Sequence, residues 1–325
     1  MKILIIGPAW VGDMVMAQVL FKFIKIRHPD AIIDVIAPDW TRPLLERMPE
    51  ISEILSLPFK HGEFNFLKRW KLGKRLKNNH YDEAIVLPNS WKSALIPFAA
   101  GIPKRTGFRG EFRYGLLNNI KIVDKKLLPL MIQRFAYLAL DKKELLPDKL
   151  PKPKLVSQSD KIIPKKTIAL CPGAEFGPSK RWPEEYYAEI ANKLLEHDFD
   201  VWLFGSQKDR VVTDKINELT NNHCENLAGT TSLSEAIDLL SLSSLVITND
   251  SGLMHIAAAL DKPLIALYGS TDPGFTPPLS RNAKILSIDL YCRPCFQREC
   301  PLKHHRCMKD LLPQRVWETI HSCEF

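Results

Sequence analysis

Residues 245–260 read LVITNDSGLMHIAAAL, and most of the fold can be reasoned from this stretch. Leu245, Val246, Ile247 and Thr248 are apolar or β-branched and predict a buried strand, whereas Leu253 to Leu260 predict a helix. Between them Asn249-Asp250-Ser251-Gly252 breaks the chain sharply, so the unit is strand, turn, helix. Asp250 or Ser251 is placed to cap that helix. The unpaired N–H groups of its first turn, with Gly252 permitting close approach, form a ready site for an anion such as a phosphate. His255 lies one turn beyond Ser251 on the same face and can point at the same anion. The alternative is an ordinary strand-helix unit with a capped helix and a partly buried histidine.

Working outward, the same alternation recurs. Residues 264–268 (LIALY) continue the sheet, and 167–170 (TIAL) and 201–204 (VWLF) supply earlier strands, with a helix through Leu195 between those two. The segment CPGAEFGPSKRWP, residues 171–183, follows a strand end and places Lys180 and Arg181 just before a helix. Two cations there grip a diphosphate, or else are exposed charges in a surface loop. Because this loop and the Asp250 turn both follow strands of one sheet, they belong at the same edge, which favours the functional reading. Asp198-Phe199-Asp200 matches the D-x-D pattern that holds a metal on a diphosphate in many sugar-transferring enzymes. It precedes a strand, at the amino edge where no ligand is expected, and is set aside.

The first half repeats the scheme. Lys2-Ile3-Leu4-Ile5-Ile6 is a strand, and Gly7 to Asp13 is a tight loop feeding a helix from near Met14. This loop has neither the G-x-G-x-x-G fingerprint nor a Walker Lys-Ser/Thr. Asp13 is electrostatically comfortable at a helix N-terminus. It is equally placed to act as a general base at the carboxyl edge of a sheet. Further strands are read over 32–36 and 81–87. Residues 60–81 are basic and interleaved with Phe64, Phe66 and Trp70, as in an amphipathic helix with a solvated basic face, or one whose Lys68, Arg69, Lys71, Lys74 and Arg75 meet an anionic membrane surface. Residues 104–114 (KRTGFRGEFRY) carry too many glycines for a helix and read as a binding loop. A Pro- and Lys-rich stretch over 141–166, including Pro147, Pro151, Pro153 and Pro164, marks the linker. The domains are placed at 1–157 and 158–325, two similar α/β halves facing each other, each a doubly wound parallel sheet.

Composition agrees. A chain of 325 residues with 45% hydrophobic content can bury two cores. Only four apolar residues precede Gly7-Pro8, which excludes a signal peptide at this position, and no apolar run approaches a membrane span, so a cytosolic protein is expected. A net charge of +8 and a pI near 9.0 favour an anionic partner without choosing one. Seven cysteines in so long a chain do not suggest a disulfide scaffold.

Taken together the motifs resemble the ADP-heptose lipopolysaccharide heptosyltransferases, in particular those of type II, within glycosyltransferase family 9. The resemblance covers nearly the whole chain: KILIIGPAWVGDMVMAQ, LPNSWKSALIPFAAGIPKRTGFRGEFRYGLLN, CPGAEFGPSKRWP, NLAGTTSL, TNDSGLMHIAAAL and LYGSTDPGFTPPLS, in that order. It implies the GT-B architecture of two Rossmann-like domains across a cleft, with inverting transfer of a heptose from ADP-L-glycero-D-manno-heptose onto the first heptose of the lipopolysaccharide inner core. Asp13 is then the catalytic base, Lys180 the diphosphate ligand and Asp250 the residue holding the donor sugar. Ser251, Gly252, Leu253, Met254 and His255 form the phosphate-binding helix start. The other expected partner is a lipid A-Kdo-heptose acceptor at the cytoplasmic face of the inner membrane. Its phosphates suit Arg105, Arg109 and Arg113, and a peripheral membrane contact is expected. No cofactor is needed for transfer on this reading.

Near the end, Cys292, Cys295, Cys300 and Cys307 are spaced C-x2-C-x4-C-x6-C with His304 and His305 among them. They read as reduced cytosolic cysteines in a loop, with a structural zinc ion as the alternative. Residues 311–325 are read as a terminal helix, which in GT-B folds often crosses back to the first domain. Another heptosyltransferase of the same family is the nearest rival assignment. A basic nucleic-acid-binding protein would account for the charge, but no nucleic-acid module is recognisable. A nicotinamide-dependent oxidoreductase would account for the paired halves, but its glycine fingerprint is missing.

Overall fold

Among the described residues, every strand pairing in the computed structural model of this protein is parallel. The structure describes residues 1–59, 63–141, 144–160, 163 and 165–323. The chain divides into two units, Met1–Pro153 and Lys154–Phe325. The division falls four residues before the 157/158 boundary read from the sequence. Leu155 N–H donates to Ala259 O at 2.9 Å and Ser157 Oγ to Asp238 Oδ1 at 3.3 Å, which ties the end of the Pro-rich stretch to the second unit.

In the first unit β1 (Lys2–Ile6), β2 (Ile32–Ala37), β3 (Glu53–Ser56), β4 (Glu83–Val86), β5 (Lys104–Phe108) and β6 (Asn119–Lys121) form one sheet in the order β3-β2-β1-β4-β5-β6. In the second, β7 (Thr167–Cys171), β8 (Asp200–Leu203), β9 (Glu225–Asn226), β10 (Leu245–Asn249), β11 (Leu264–Tyr268) and β12 (Ala283–Ser287) repeat it as β12-β11-β10-β7-β8-β9. Both are the doubly wound order, with a switch point between the two central strands. The central strands are buried on both faces because helices cover both. That is why they read as continuous apolar runs rather than alternating ones.

Several sequence readings are corrected. The first long helix starts at Val11, not Met14, so Asp13 lies in its first turn rather than in the preceding loop. The segment over 104–114 is not all loop: its first five residues are strand β5, with Gly107 packed so closely that a Cβ there would lie 2.8 Å from Leu117 Cδ1. β3, β6, β9 and β12 escaped detection because they are short and partly exposed at or near the sheet edges, where apolar patterning is weakest. The terminal helix is Pro313–His321, and it belongs to the second unit, where Val316 and Ile320 enter the core cluster built around Trp182 and Tyr187. Lys60, Pro164 and the last two residues, on which parts of these readings fell, lie outside the described residues.

Candidate active site

β7 and β10 adjoin at the centre of the second sheet, with Leu245 opposite Ile168 and Thr248 opposite Cys171. From this pair the sheet grows toward β8 on one side and β11 on the other, so the loops after β7 and β10 leave at the switch point, where open α/β sheets place their ligands. Lys180 comes from the first loop and Asp250 from the second. Lys180 Nζ donates to Asp250 Oδ2 at 2.6 Å, and Thr271 Oγ1, from the segment after β11, donates to the same oxygen at 2.5 Å. Both partners are largely buried, with side-chain exposures of 13% and 4%. Lys180 Nζ also sits 4.8 Å from the centre of the Phe176 ring.

The β7 loop is held by a buried amide. Asn249 Nδ2 donates to Pro172 O at 2.6 Å, while its Oδ1 accepts from Tyr187 Oη at 3.0 Å and from Trp182 N–H at 3.3 Å. One side chain thereby fixes both ends of the loop that presents Lys180. Gly177 begins the short 3-10 turn Pro178–Lys180 at φ 152°, with Arg298 O 2.5 Å from where a Cβ would stand, so a larger residue cannot occupy that position.

The helix after β10 is Gly252–Ala259, with Ser251 in the extended conformation of an N-cap residue. Neither expected cap is made. The Ser251 hydroxyl lies 3.4 Å from Thr248 Oγ1, and the Asp250 carboxylate is engaged by Lys180 and Thr271. The first-turn amides of Gly252, Leu253 and Met254 therefore lack a side-chain acceptor, and these N–H groups with the helix dipole attract an anion. Met254 is fully buried, which leaves its backbone rather than its side chain for a ligand. His255 is buried as well. Loss of hydration holds its pKa down at about 4; Asp250 opposes that shift and Lys180 reinforces it. At neutral pH it offers a hydrogen bond but no charge.

The first unit carries a separate cavity of about 440 Å³, lined by residues that follow β1, such as Gly7, Trp10 and Asp13, and by Asn89, Ser90 and Lys92 after β4. This is again a switch point, because β1 and β4 are the central pair. Asp13 is half-buried at the cavity wall, in the first turn of a helix whose N-cap, Trp10, supplies no side-chain acceptor. Arg69, Lys92 and Arg134 bring three cations to the same lining. The proposed arginines divide. Arg113 is buried, with Nη1 donating to Pro88 O at 2.6 Å and Nη2 to Asn89 Oδ1 at 3.2 Å and to Phe108 O. Arg105 donates to Leu116 O at 2.7 Å and Ile102 O at 2.5 Å. Both guanidinium groups donate to backbone carbonyls, as Arg134 Nε does to Leu128 O at 3.0 Å and Lys92 Nζ to Glu63 O at 3.3 Å. Arg109 is exposed.

Sequence reasoning did not find Asn249, Thr271, Lys92 or Arg134. Asn249 and Thr271 stand inside quoted motifs, but nothing in their spacing tells that they reach Pro172 or Asp250. The four C-terminal cysteines are free thiols, and among the described residues no group of three or more His, Cys, Asp or Glu side chains is arranged to hold a metal ion. Cys300 Sγ accepts from His305 N–H at 3.5 Å and lies 4.0 Å from His304 Nδ1.

Comparison with known proteins bears directly on the family. Residues 69–306 match the sequence profile of glycosyltransferase family 9 (heptosyltransferase). The chain belongs to that family. It is therefore a glycosyltransferase of the heptosyltransferase type, and its paired sheets are the family's GT-B fold. It is 48% identical to lipopolysaccharide heptosyltransferase 2 of Salmonella typhimurium and 47% identical to that of Escherichia coli, in each case over 99% of this chain and 98% of the relative. The solved structure of E. coli ADP-heptose lipopolysaccharide heptosyltransferase II superposes with a TM-score of 0.88 at 45% identity, covering 99% of this chain and 98% of that one. E. coli heptosyltransferase WaaC, solved with ADP, shares the fold with a TM-score of 0.76 at 18% identity.

Proposed function

We propose that this heptosyltransferase moves a heptose from ADP-L-glycero-D-manno-heptose onto the first heptose of a lipid A-Kdo-heptose acceptor, inverting the anomeric centre. Heptose transfer in lipopolysaccharide core assembly follows from family membership together with near-full-length identity of 47–48% to the enterobacterial type 2 enzymes. The observation that carries the donor assignment is the Lys180–Asp250–Thr271 cluster beside a helix start without a side-chain cap.

In this mechanism an acceptor hydroxyl oxygen attacks the anomeric carbon as the bond from that carbon to the diphosphate oxygen breaks. Asp13 takes the hydroxyl proton, the bonding pair leaves with ADP, and its charge is met by Lys180 and the first-turn N–H groups of the helix Gly252–Ala259. Asp250 holds hydroxyls of the donor sugar. In the first unit Lys92 and Arg134 of the cavity lining join exposed Arg109 as the groups for acceptor phosphates. We assign Cys292, Cys295, Cys300 and Cys307 no part in the transfer.

Among the described residues no helix is long and apolar enough to cross a membrane. A lipid-anchored acceptor then calls for peripheral contact with the cytoplasmic face of the inner membrane. The test is incubation of purified protein with ADP-heptose and a defined Kdo-heptose acceptor. One added heptose on the acceptor's first heptose is the expected product. No added mass, or addition to Kdo instead, overturns the assignment.

A further inference from the structure

We infer that an aromatic ridge on the first unit docks this protein on an anionic lipid bilayer. The ridge runs from Phe64 along the helix Phe66–Leu76 and takes in Trp91 and Phe98, near the two ends of the helix Trp91–Ala99. Its ring centroids succeed one another without a gap: Trp91 to Phe64 at 6.0 Å, Phe64 to Phe66 at 6.5 Å, Phe66 to Trp70 at 5.7 Å and Trp70 to Phe98 at 6.1 Å. Phe64 is 50% exposed, Phe66 40%, Leu67 69% and Phe98 38%. Scattered exposed apolar side chains are ordinary, but a contiguous row of them marks an interaction surface.

The charge around the row says what covers it. The helix reads FLKRWKLGKRL and carries no carboxylate, and Lys68, Lys71, Lys74 and Arg75 are all exposed. Lys74 Nζ lies 5.7 Å from the Trp70 ring centre, so cation and ring share one surface. Apolar and aromatic groups beside lysines, on a helix lying flat, match the boundary of an anionic bilayer, where rings enter the headgroup region and lysines meet lipid phosphates. A second copy of this chain fits poorly, since pairing the ridge with itself would bring like charges together. The platform is firm. Beside the aromatic row the helix packs on the helix Trp91–Ala99 so tightly that a Cβ on Gly73 would lie 2.5 Å from Ile96 O, and Asn65 Oδ1 caps the helix by accepting from Lys68 N–H at 3.2 Å.

This inference rests on the reading of the acceptor as membrane-borne, and its test separates the two. Whole protein is mixed with vesicles of phosphatidylcholine alone or with 30% phosphatidylglycerol, neither containing acceptor, and the bound fraction is measured by flotation. Strong binding to the anionic vesicles, at least tenfold weaker binding to the neutral ones, and release by high salt are expected. Phe66→Ser with Leu67→Ser, and separately Lys71→Glu with Lys74→Glu, should each cut vesicle binding about tenfold while leaving transfer to a soluble, deacylated acceptor unchanged. Unchanged vesicle binding in both double variants, or equal binding of the native protein to neutral vesicles, overturns the inference. So does binding to duplex DNA with no binding to anionic vesicles. Failure of transfer to the soluble acceptor by the native protein counts against the functional assignment alone.

Discussion

Lys180 Nζ and Asp250 Oδ2 meet at 2.6 Å although 70 residues separate them in the chain, because each hangs from one of two adjacent parallel strands. The pair joins the group assigned to the leaving diphosphate to the group assigned to the sugar. Bound donor therefore shares Lys180 with Asp250, and either substitution affects the other's environment.

Lys180→Ala should weaken ADP and ADP-heptose binding by roughly 1.5–3 kcal/mol, the usual value of a hydrogen bond to a charged group. It also leaves the Asp250 carboxylate without its cation, so a lower melting temperature is expected, relieved partly in Asp250→Asn with Lys180→Ala. Calorimetry with ADP checks the first effect. Unchanged affinity would remove Lys180 from the donor site.

Asp13→Asn preserves shape at a half-buried position while deleting basicity. If Asp13 accepts the proton, kcat should fall by about 10²–10⁴-fold with donor affinity and melting temperature nearly unchanged. If the carboxylate only complements the helix N-terminus, the loss is confined to stability, about 0.3–1 kcal/mol. Single-turnover rates at saturating donor and acceptor distinguish the two.

His255 makes the second unit acid-sensitive. Its folded pKa, about 4, lies below the ordinary value of 6.5, so the unfolded chain binds the proton first as pH falls. Stability should therefore decline as pH drops from about 6.5 toward 4, by up to on the order of 3 kcal/mol, and level off below. Urea unfolding at pH 7.5 and pH 4.5 measures this difference. His255→Gln should flatten it, and an equally steep decline in that variant would assign the effect to other groups.

Arg113 and Arg109, four residues apart, should behave oppositely. Arg113→Ala leaves the carbonyls of Pro88 and Phe108 without their buried donor and should cost about 2–4 kcal/mol of stability. Arg109→Ala should leave stability within about 0.5 kcal/mol, as exposed substitutions do, and raise the acceptor KM. A stable Arg113→Ala with only an acceptor defect would reverse that division.

The sequence by itself determined the class of fold, the repeat of one α/β plan in two halves and the family. These rest on local information: continuous apolar runs for doubly covered strands, glycine and asparagine at sharp turns, and motifs whose order survives without knowledge of contacts. It also placed Lys180 and Asp250 at one sheet edge, since loops after parallel strands must emerge at the same end. Only the tertiary structure decided what each polar side chain does. Arg105 and Arg113 look like ligands in a basic loop, yet they are spent on carbonyls brought near by folding. Asn249 looks like a turn residue, yet it ties down a loop 77 positions earlier in the chain through Pro172. Asp250 and Ser251 look like helix caps, yet one is captured by Lys180 and Thr271 and the other leaves the helix start open. A side chain's local propensity is worth about a kilocalorie per mole, and a buried charged or amide group gains more from a distant partner than from its neighbours in sequence.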